Sequence, residues 1–422
     1  MTLATFEFRD DASVDPEGLD SSAPSDSGRE DASVDPLLDG AVDDAAIDGS
    51  QDAGFECASC TWGCVATRCA SLVEIRAGGN HTCARSESGE VWCWGRNTSG
   101  ELGDGTRITR TRPARVSGIS DAVQIAVGHS HTCARHDDGG VSCWGNGARG
   151  RLGLGTGTPA SVPTPTRVEG LTAVDIAAGL DATCSVSSTG EVRCWGNNAN
   201  GQLGLDPATT SLTSPSTPVP TIDGSSVSVG AAHACAVTRG GGVSCWGRDV
   251  EGQLGNGSGD EFDSLAPVPV ALSEIVEISA GSVHTCARDD FGLAHCWGAG
   301  TVGELGDGRR MSSTAPLSVS APDRMPWIQI AAGNQSTAAR TGARAWSWGG
   351  GLNLGAASGE RGGPGFIDPP LTSASDVSIG SGHGCALSSD GQAFCWGANT
   401  DGQLGDGTND LSTVPVPVLD PI

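Results

Sequence analysis

There is no lysine in this sequence and no tyrosine; all 24 basic residues are arginine. Without lysine there is no P-loop, no Schiff base and no catalytic ammonium group. Without tyrosine the nucleophile of sialidases is excluded, and Ser388-Ser389-Asp390-Gly391 does not keep the S-x-D-x-G spacing of their hairpin box. No apolar run is long enough to read as a membrane-crossing helix. Aromatic residues make up only 4% of the chain, while 64 Gly and 22 Pro punctuate it, a composition of short strands and turns. Positive charge is also scarce. Fifty Asp and Glu leave a formal charge of −26, the wrong sign for neutralising nucleic-acid phosphates.

That charge is concentrated at the start. Residues 1–56 hold sixteen Asp or Glu against Arg9 and Arg29, and repeat DASVDP at 11–16 and 31–36. So little apolar surface cannot offset the entropy of ordering, which predicts a disordered acidic spacer spanning about 40 Å or more. A cysteine-rich segment, 57–70, follows. What is abundant here is cysteine: sixteen, an even number, which implies pairing in an oxidising compartment. The opening MTLATFEFRD lacks the basic and apolar regions of a signal peptide. Export is therefore expected with the signal, and any lipid anchor, lying upstream of Met1. The arginine-only, Ala/Gly-rich usage is that of a GC-rich, bacterial-type genome.

From residue 71 the chain repeats itself. Trp94, Trp144, Trp195, Trp246, Trp297, Trp348 and Trp396 recur every 48 to 51 residues, each followed by Gly. Each unit has an apolar alternating run ending in Gly, an HTCA-type strand, a polar turn, a strand ending CWG, a G-[QE]-L-G turn and a Pro-Val segment. Four short strands per unit and seven units predict an all-β, seven-bladed β-propeller over 71–422. The tryptophans are expected to anchor each blade against its neighbour. Three residues after each stand Asn97, Gly147, Asn198, Asp249, Gly300, Gly351 and Asn399. Those residue types predict a tight turn in the left-handed conformation.

The cysteines ten apart flank a hairpin, so Cys83 and Cys93 should lie opposite each other at disulfide range. The same holds for Cys133–Cys143, Cys184–Cys194, Cys235–Cys245, Cys286–Cys296 and Cys385–Cys395. Unit six is an internal control: Ala338 and Ser347 replace both cysteines together. An eleven-residue loop closed this way is worth about 2.7 kcal/mol in the chain-entropy model. Cys57, Cys60, Cys64 and Cys69 have a spacing open to zinc, but in this company two further disulfides are expected, with their pairing open.

The run G-x-x-H-[TS], hairpin, W-G-x-N-x-x-G-Q-L-G and P-x-x-V resembles the repeat of the regulator of chromosome condensation (RCC1-type) family, across 71–422. The resemblance implies a seven-bladed propeller and a choice of activities: nucleotide exchange on a small GTPase, chromatin binding, ultraviolet-B reception, or secreted inhibition of a β-lactamase. The acidic tail opposes chromatin. The receptor's G-W-R-H-T is Gly78-Gly79-Asn80-His81-Thr82 here. His81, His131, His233, His284 and His383 share one repeat position; as part of the family signature they are expected to bond backbone within their own blade and not to ring a metal. Acidic loops at 256–263 and 406–410 lack the ligand spacing of a calcium loop.

These residues point to a non-catalytic, monomeric propeller, exported or tethered to the envelope, that binds a protein or a glycan without cofactor, metal or nucleic acid. A GTPase exchange factor and a polysaccharide-active enzyme are the alternatives. Repeated positions are consumed by folding, so specificity should sit in the variable loops 104–112, 205–217, 256–266, 307–315 and 356–368. Their charged residues are Arg107, Arg110, Arg112, Arg309 and Arg310 beside Asp260, Glu261 and Asp263.

Overall fold

A computed structural model of the chain describes residues 64–65, 68–69 and 71–421, apart from 206–210, 259–262, 343, 356–360, 368–370 and 372. The spacer expected over 1–56, and Cys57 and Cys60, lie outside those residues. Cys64 and Cys69 are backbone partners in a short hairpin, Cys64–Val65 with Arg68–Cys69.

Seven four-stranded antiparallel sheets follow one another, each built from one contiguous repeat with its strands in chain order. In the first blade these are Leu72–Ala77 nearest the axis, His81–Ser86, Val91–Gly95 and, outermost, Arg110–Arg115. Antiparallel order puts the first turn and the third-to-outer loop of every blade at one end of the ring, the loop face. The central hairpins and the entry to each inner strand lie at the other, the hairpin face. This is the seven-bladed propeller that the repeat predicts.

The apolar core is distributed over the seams between blades. The cluster at the seventh-to-first seam joins Ile75, Trp92 and Trp94 of one blade to Leu387, Leu404 and Val418 of the other. All seven repeat tryptophans are completely buried. At about 25 cal/mol per Å² and roughly 150–250 Å² each, one such ring contributes on the order of 4–6 kcal/mol to its seam before entropy. The glycine after each tryptophan has φ between 99° and 110°. A Cβ on Gly95 would also stand 2.6 Å from the Asn80 carbonyl oxygen.

The residues three after each tryptophan are corrected. Among them only Gly351 has positive φ, and its ψ of −178° is not that of a left-handed turn, so the expected turn is absent from all seven. Asn and Asp are there for their side chains: Oδ1 of Asn97, Asn198, Asp249 and Asn399 accepts the N–H of the buried leucine five residues on, at 2.9–3.0 Å. Where glycine stands instead, backbone crowds the site; a Cβ on Gly300 would lie 2.1 Å from the Met311 carbonyl oxygen.

Six blades carry the hairpin disulfide, with Cα–Cα separations of 4.0–4.1 Å. In the sixth, Ala338 and Ser347 occupy the same paired register. Ser347 donates its hydroxyl to the Leu354 carbonyl, and Trp346 meets Phe366 edge-on at 5.6 Å. The blade is thus tied by polar and aromatic contacts that do not restrict the unfolded chain as a cross-link does. Its amides should exchange hydrogen before those of the other blades. The double substitution Ala338→Cys/Ser347→Cys should slow that exchange and raise unfolding free energy by about 2–3 kcal/mol. Exchange mapped by mass spectrometry checks both; another blade opening first would contradict the assignment.

Candidate functional site

Two sets of residues bear on function: the histidine position and the variable loops. The histidines are held at the seams. Nε2 of His81, His131, His233, His284 and His383 lies 2.8–2.9 Å from a threonine hydroxyl of the following blade: Thr132, Thr183, Thr285, Thr337 and, closing the ring, Thr82. Each of those hydroxyls donates at 2.8–3.0 Å to a backbone carbonyl in the G-[QE]-L-G turn of the preceding blade. With its proton committed there, the threonine oxygen accepts from imidazole, so Nε2 carries the hydrogen. The expected backbone bond within the blade is therefore corrected to a side-chain bond between blades.

The sequence held a signal for this pairing. Ala182 lacks the histidine, and Ala234 of the next blade lacks the threonine; Ser336 is followed by Gly384 in the same way. Partners vanish together across a seam, as the two cysteines do within blade six. Burial keeps the rings neutral, pushing His81 and His233 down to about 3, His284 and His383 down to about 4, and His131 well below its usual range. A buried neutral imidazole with its only hydrogen spent inside the fold is a structural group.

The described parts of the variable loops gather on the loop face. Three of them are sewn to the next blade's outer strand, Gly105 N–H donating to Pro163, Gly257 to Thr314 and Gly308 to Gly362, and the equivalent loops of blades two and seven are held alike, Gly155 to Thr213 and Gly407 to Thr111, all at 2.8–3.0 Å. Asn399 fills the centre of the 406–410 loop, its amide donating to Asp406 Oδ1 and the carbonyls of Thr408 and Asp410, where a cation would otherwise sit. Asn97 does the same for Asp104.

The loop charges have separate fates. Arg110 is pinned to Asp104 at 3.1 Å and stays partly buried. Arg107 is exposed and reaches Ser161 Oγ at 2.7 Å. Arg112 is exposed beside the seventh blade's loop. Arg309, 74% exposed along its side chain, stands 3.9 Å from Asp307, with Arg310 exposed next to it. Asp263 accepts the Asp249 N–H at 3.2 Å. Asp260 and Glu261 lie outside the described residues. Exposed apolar side chains accompany these charges: Ile108 and Met311 are 59% and 68% exposed on the same loops, and Leu411 is 59% exposed on the equivalent loop of blade seven.

Disulfide-stapled blades and a variable loop face define the class as a seven-bladed β-propeller built from sequence repeats. Family models for the RCC1-like domain match residues 158–421, and those for the regulator of chromosome condensation repeat match 72–101, 88–135 and 122–151. The chain belongs to the RCC1-repeat family. It is 32% identical to the ultraviolet-B receptor UVR8 of Arabidopsis thaliana over 79% of this chain and 78% of that one. It is 31% identical to the human E3 ubiquitin-protein ligase HERC2, again over 79% of this chain but only 7% of that much longer protein. Among solved structures, yeast Prp20p, described with its binding to Gsp1p and histones, shares the fold at a TM-score of 0.65 and 24% identity, covering 74% of this chain and 80% of Prp20p.

Because the five imidazoles are depressed in the fold and ordinary when unfolded, the unfolded chain takes up protons that the native one refuses. Stability is therefore full above about pH 6.5 and falls from there towards pH 4, by about 1.4 kcal/mol per pH unit for each histidine. Carboxyls raised by burial at Glu101, Asp175, Glu277 and Glu304 act in the opposite sense and offset part of this at the acid end. Denaturant titrations at pH 7.5, 6 and 5 should show the loss. His131→Ala/Thr183→Ala, which copies the natural Ala182/Ala234 seam, should cost less than the two single changes summed and flatten the pH slope by about one proton.

Proposed function

We propose that this protein is an exported, non-catalytic propeller that binds a partner protein through its loop face. The observation that carries the reading is the pairing of exposed apolar side chains, Ile108, Met311 and Leu411, with Arg107, Arg112, Arg309 and Arg310 on loops hydrogen-bonded to a rigid ring. Apolar and Met-bearing centres with arginine around them are what protein interfaces select. A rigid paratope of this kind also avoids the entropy cost of ordering loops on binding. The names of the family relatives, a receptor and a ubiquitin ligase, and the protein ligands given for Prp20p support regulation by protein binding over chemistry on a small substrate.

Export is the reading that six buried hairpin disulfides favour, since reducing compartments keep such thiols apart. It weighs against the exchange-factor alternative, which places the protein among cytosolic GTPases. In this reading residues 1–56 are an acidic spacer, and 57–70 a short cysteine-bearing neck, holding the propeller away from its anchorage as a monomer.

Capture from the native cell envelope tests the face. Ile108→Ser/Met311→Ser together with Arg309→Ser should reduce recovery of the bound protein by about tenfold or more while leaving melting temperature unchanged. Undiminished capture would move the site elsewhere. Compartment is checked separately: alkylation of the unreduced, denatured protein from its source should leave the twelve propeller cysteines unlabelled, and extensive labelling would rule export out.

A further inference from the structure

The axial channel offers a second site, on the opposite face from the loops and independent of them. Along each inner strand alternate side chains face the axis. The outer of these rings carries Glu74, Gln124, Asp175, Glu277, Gln329 and Asp376, most of which accept the backbone N–H of the next blade: Ile75 donates to Asp376 at 2.8 Å, Ile125 to Glu74 and Ile330 to Glu277 at 3.3 Å. One step deeper, six blades have Ala or Ser, at 126, 177, 228, 279, 331 and 378. The first has Arg76.

Where blades six, seven, one and two meet, this arrangement opens on the hairpin face as a concave mouth of about 360 Å³. It is lined by three guanidinium groups, Arg76, Arg85 and Arg340, and two carboxylates, Glu74 and Asp376. The carboxylates are spent. Glu74 accepts from Ile125 N–H, Arg76 and Arg85; Asp376 accepts from Gln329, Val377 N–H, Ile75 N–H and Arg76, with every oxygen engaged. The arginines are not. Arg85 uses Nε and Nη1 on Glu74 and nearby carbonyls, and Arg340 uses Nε and Nη1 on Gln329 and the Ala374 carbonyl. That leaves the Nη2 donors of both with no partner among the described residues. A net excess of cation, with its donors unspent and its counter-ions already consumed, is an anion-accepting surface.

The rim of the same mouth is apolar in three of its four blades, with Ser375 on the fourth. At the entry of each inner strand stands an outward-facing residue, a β-bulge in blades one, two, four, five and seven, as where Leu72 pairs with Ser86 but Glu74 with Arg85. That residue is Val73, Val123 and Ile328 around this mouth, 43%, 38% and 41% exposed, with Val174 and Val276 continuing the collar. A bulge in an exposed loop normally carries polar residues, as Ser225 and Ser375 do at the same position here.

We propose that this mouth is a second binding site, one that takes an acidic peptide segment of a partner protein, an Asp or Glu set between aliphatic residues. The carboxylate meets the unspent donors of Arg85 and Arg340 at the throat, with Arg76 setting the sign of the field, and the aliphatic neighbours lie on the Val73, Val123 and Ile328 collar. Charge complementarity selects the head and the collar selects its flanks. An isolated inorganic anion satisfies only the first.

The repeat supplies substitutions that the fold already tolerates. Arg76→Ser installs the residue found at 228, 279 and 378, and Ile328→Ser the one found at 225 and 375. The probe is a fluorescent acetyl-Val-Asp-Val-Glu-Val amide, followed by anisotropy at low salt on the full chain. Wild type should bind it about tenfold more tightly than the Asn/Gln counterpart, and both variants should weaken it by about tenfold with disulfide content unchanged, Ile328→Ser also leaving melting temperature unchanged. Arg309→Ser on the loop face should bind the probe as wild type does, which keeps this site's failure distinct from failure of the loop-face reading. Equal binding of acidic and neutral peptides, undiminished binding by Arg76→Ser, or complete displacement by sulfate at concentrations matching the peptide would overturn the proposal, the last leaving an ion site only.

Discussion

The ring depends on one backbone carbonyl per blade, at the second residue of the G-[QE]-L-G turn. Gln403, Glu101, Arg151, Gln202, Gln253, Glu304 and Asn353 each present that oxygen to the indole N–H of the next blade's tryptophan at 2.8–3.0 Å. Five of the same oxygens also receive the threonine hydroxyl that a histidine then caps. An indole N–H buried without an acceptor costs more than its bond returns, so the turn has to be placed where it is before the largest apolar group in the seam can be buried. The glycines flanking the carbonyl follow from that need: a Cβ on Gly103 would be 2.7 Å from the Trp144 indole nitrogen. Even the Gln/Glu alternation has a cause. In both residue types a side-chain oxygen accepts the N–H of the residue two before, as at Glu101, Gln253 and Gln403, and only that oxygen is required.

Closure follows the same rule. Among the described residues no strand is shared between the first and last repeats; the strands of blade seven come from residues 374–417 and those of blade one from 72–115. The seam between them is nonetheless made like the others, by Trp94 and Thr82 on the Gln403 carbonyl, His383 on Thr82, Asp376 on the Ile75 N–H, and Ser381 N–H on the Gly78 carbonyl. Side chains thus do between blades what backbone ladders do within them. The disulfides act at a different level, stapling each hairpin against its own unfolded state and not against its neighbour. Two separate devices secure two separate length scales, and blade six shows that one can be lost while the other, through Trp348 and Thr337, persists.

This division frees the surfaces. Once seams and hairpins are fixed by repeated positions, the loop face can vary by blade, and it does so in exposed Ile108, Met311 and Leu411 as much as in its arginines. The channel varies less, because its carboxylates are already engaged in holding neighbouring inner strands. Arg76 is the one place where a large charged side chain enters a ring of alanine and serine, and it does so between two carboxylates at 2.8 and 3.2 Å.

What the sequence by itself determined was everything that repeats. Seven tryptophans at a fixed spacing specify seven blades, and cysteines lost in pairs specify which are bonded, because periodicity and joint absence are properties of the chain alone. The same reasoning extends to histidine and threonine, whose joint losses at 182 and 234 and at 336 and 384 carry the seam bond in plain view one repeat apart. What only the tertiary structure decided lies where distant residues meet. Asn97 reads as a left-handed turn until its amide is seen bonded to Leu102 and Asp104, since one residue type satisfies two different constraints. The throat of Arg76, Arg85, Arg340, Glu74 and Asp376 joins residues some 300 positions apart, and no local pattern records which donors remain after ring closure has consumed the rest.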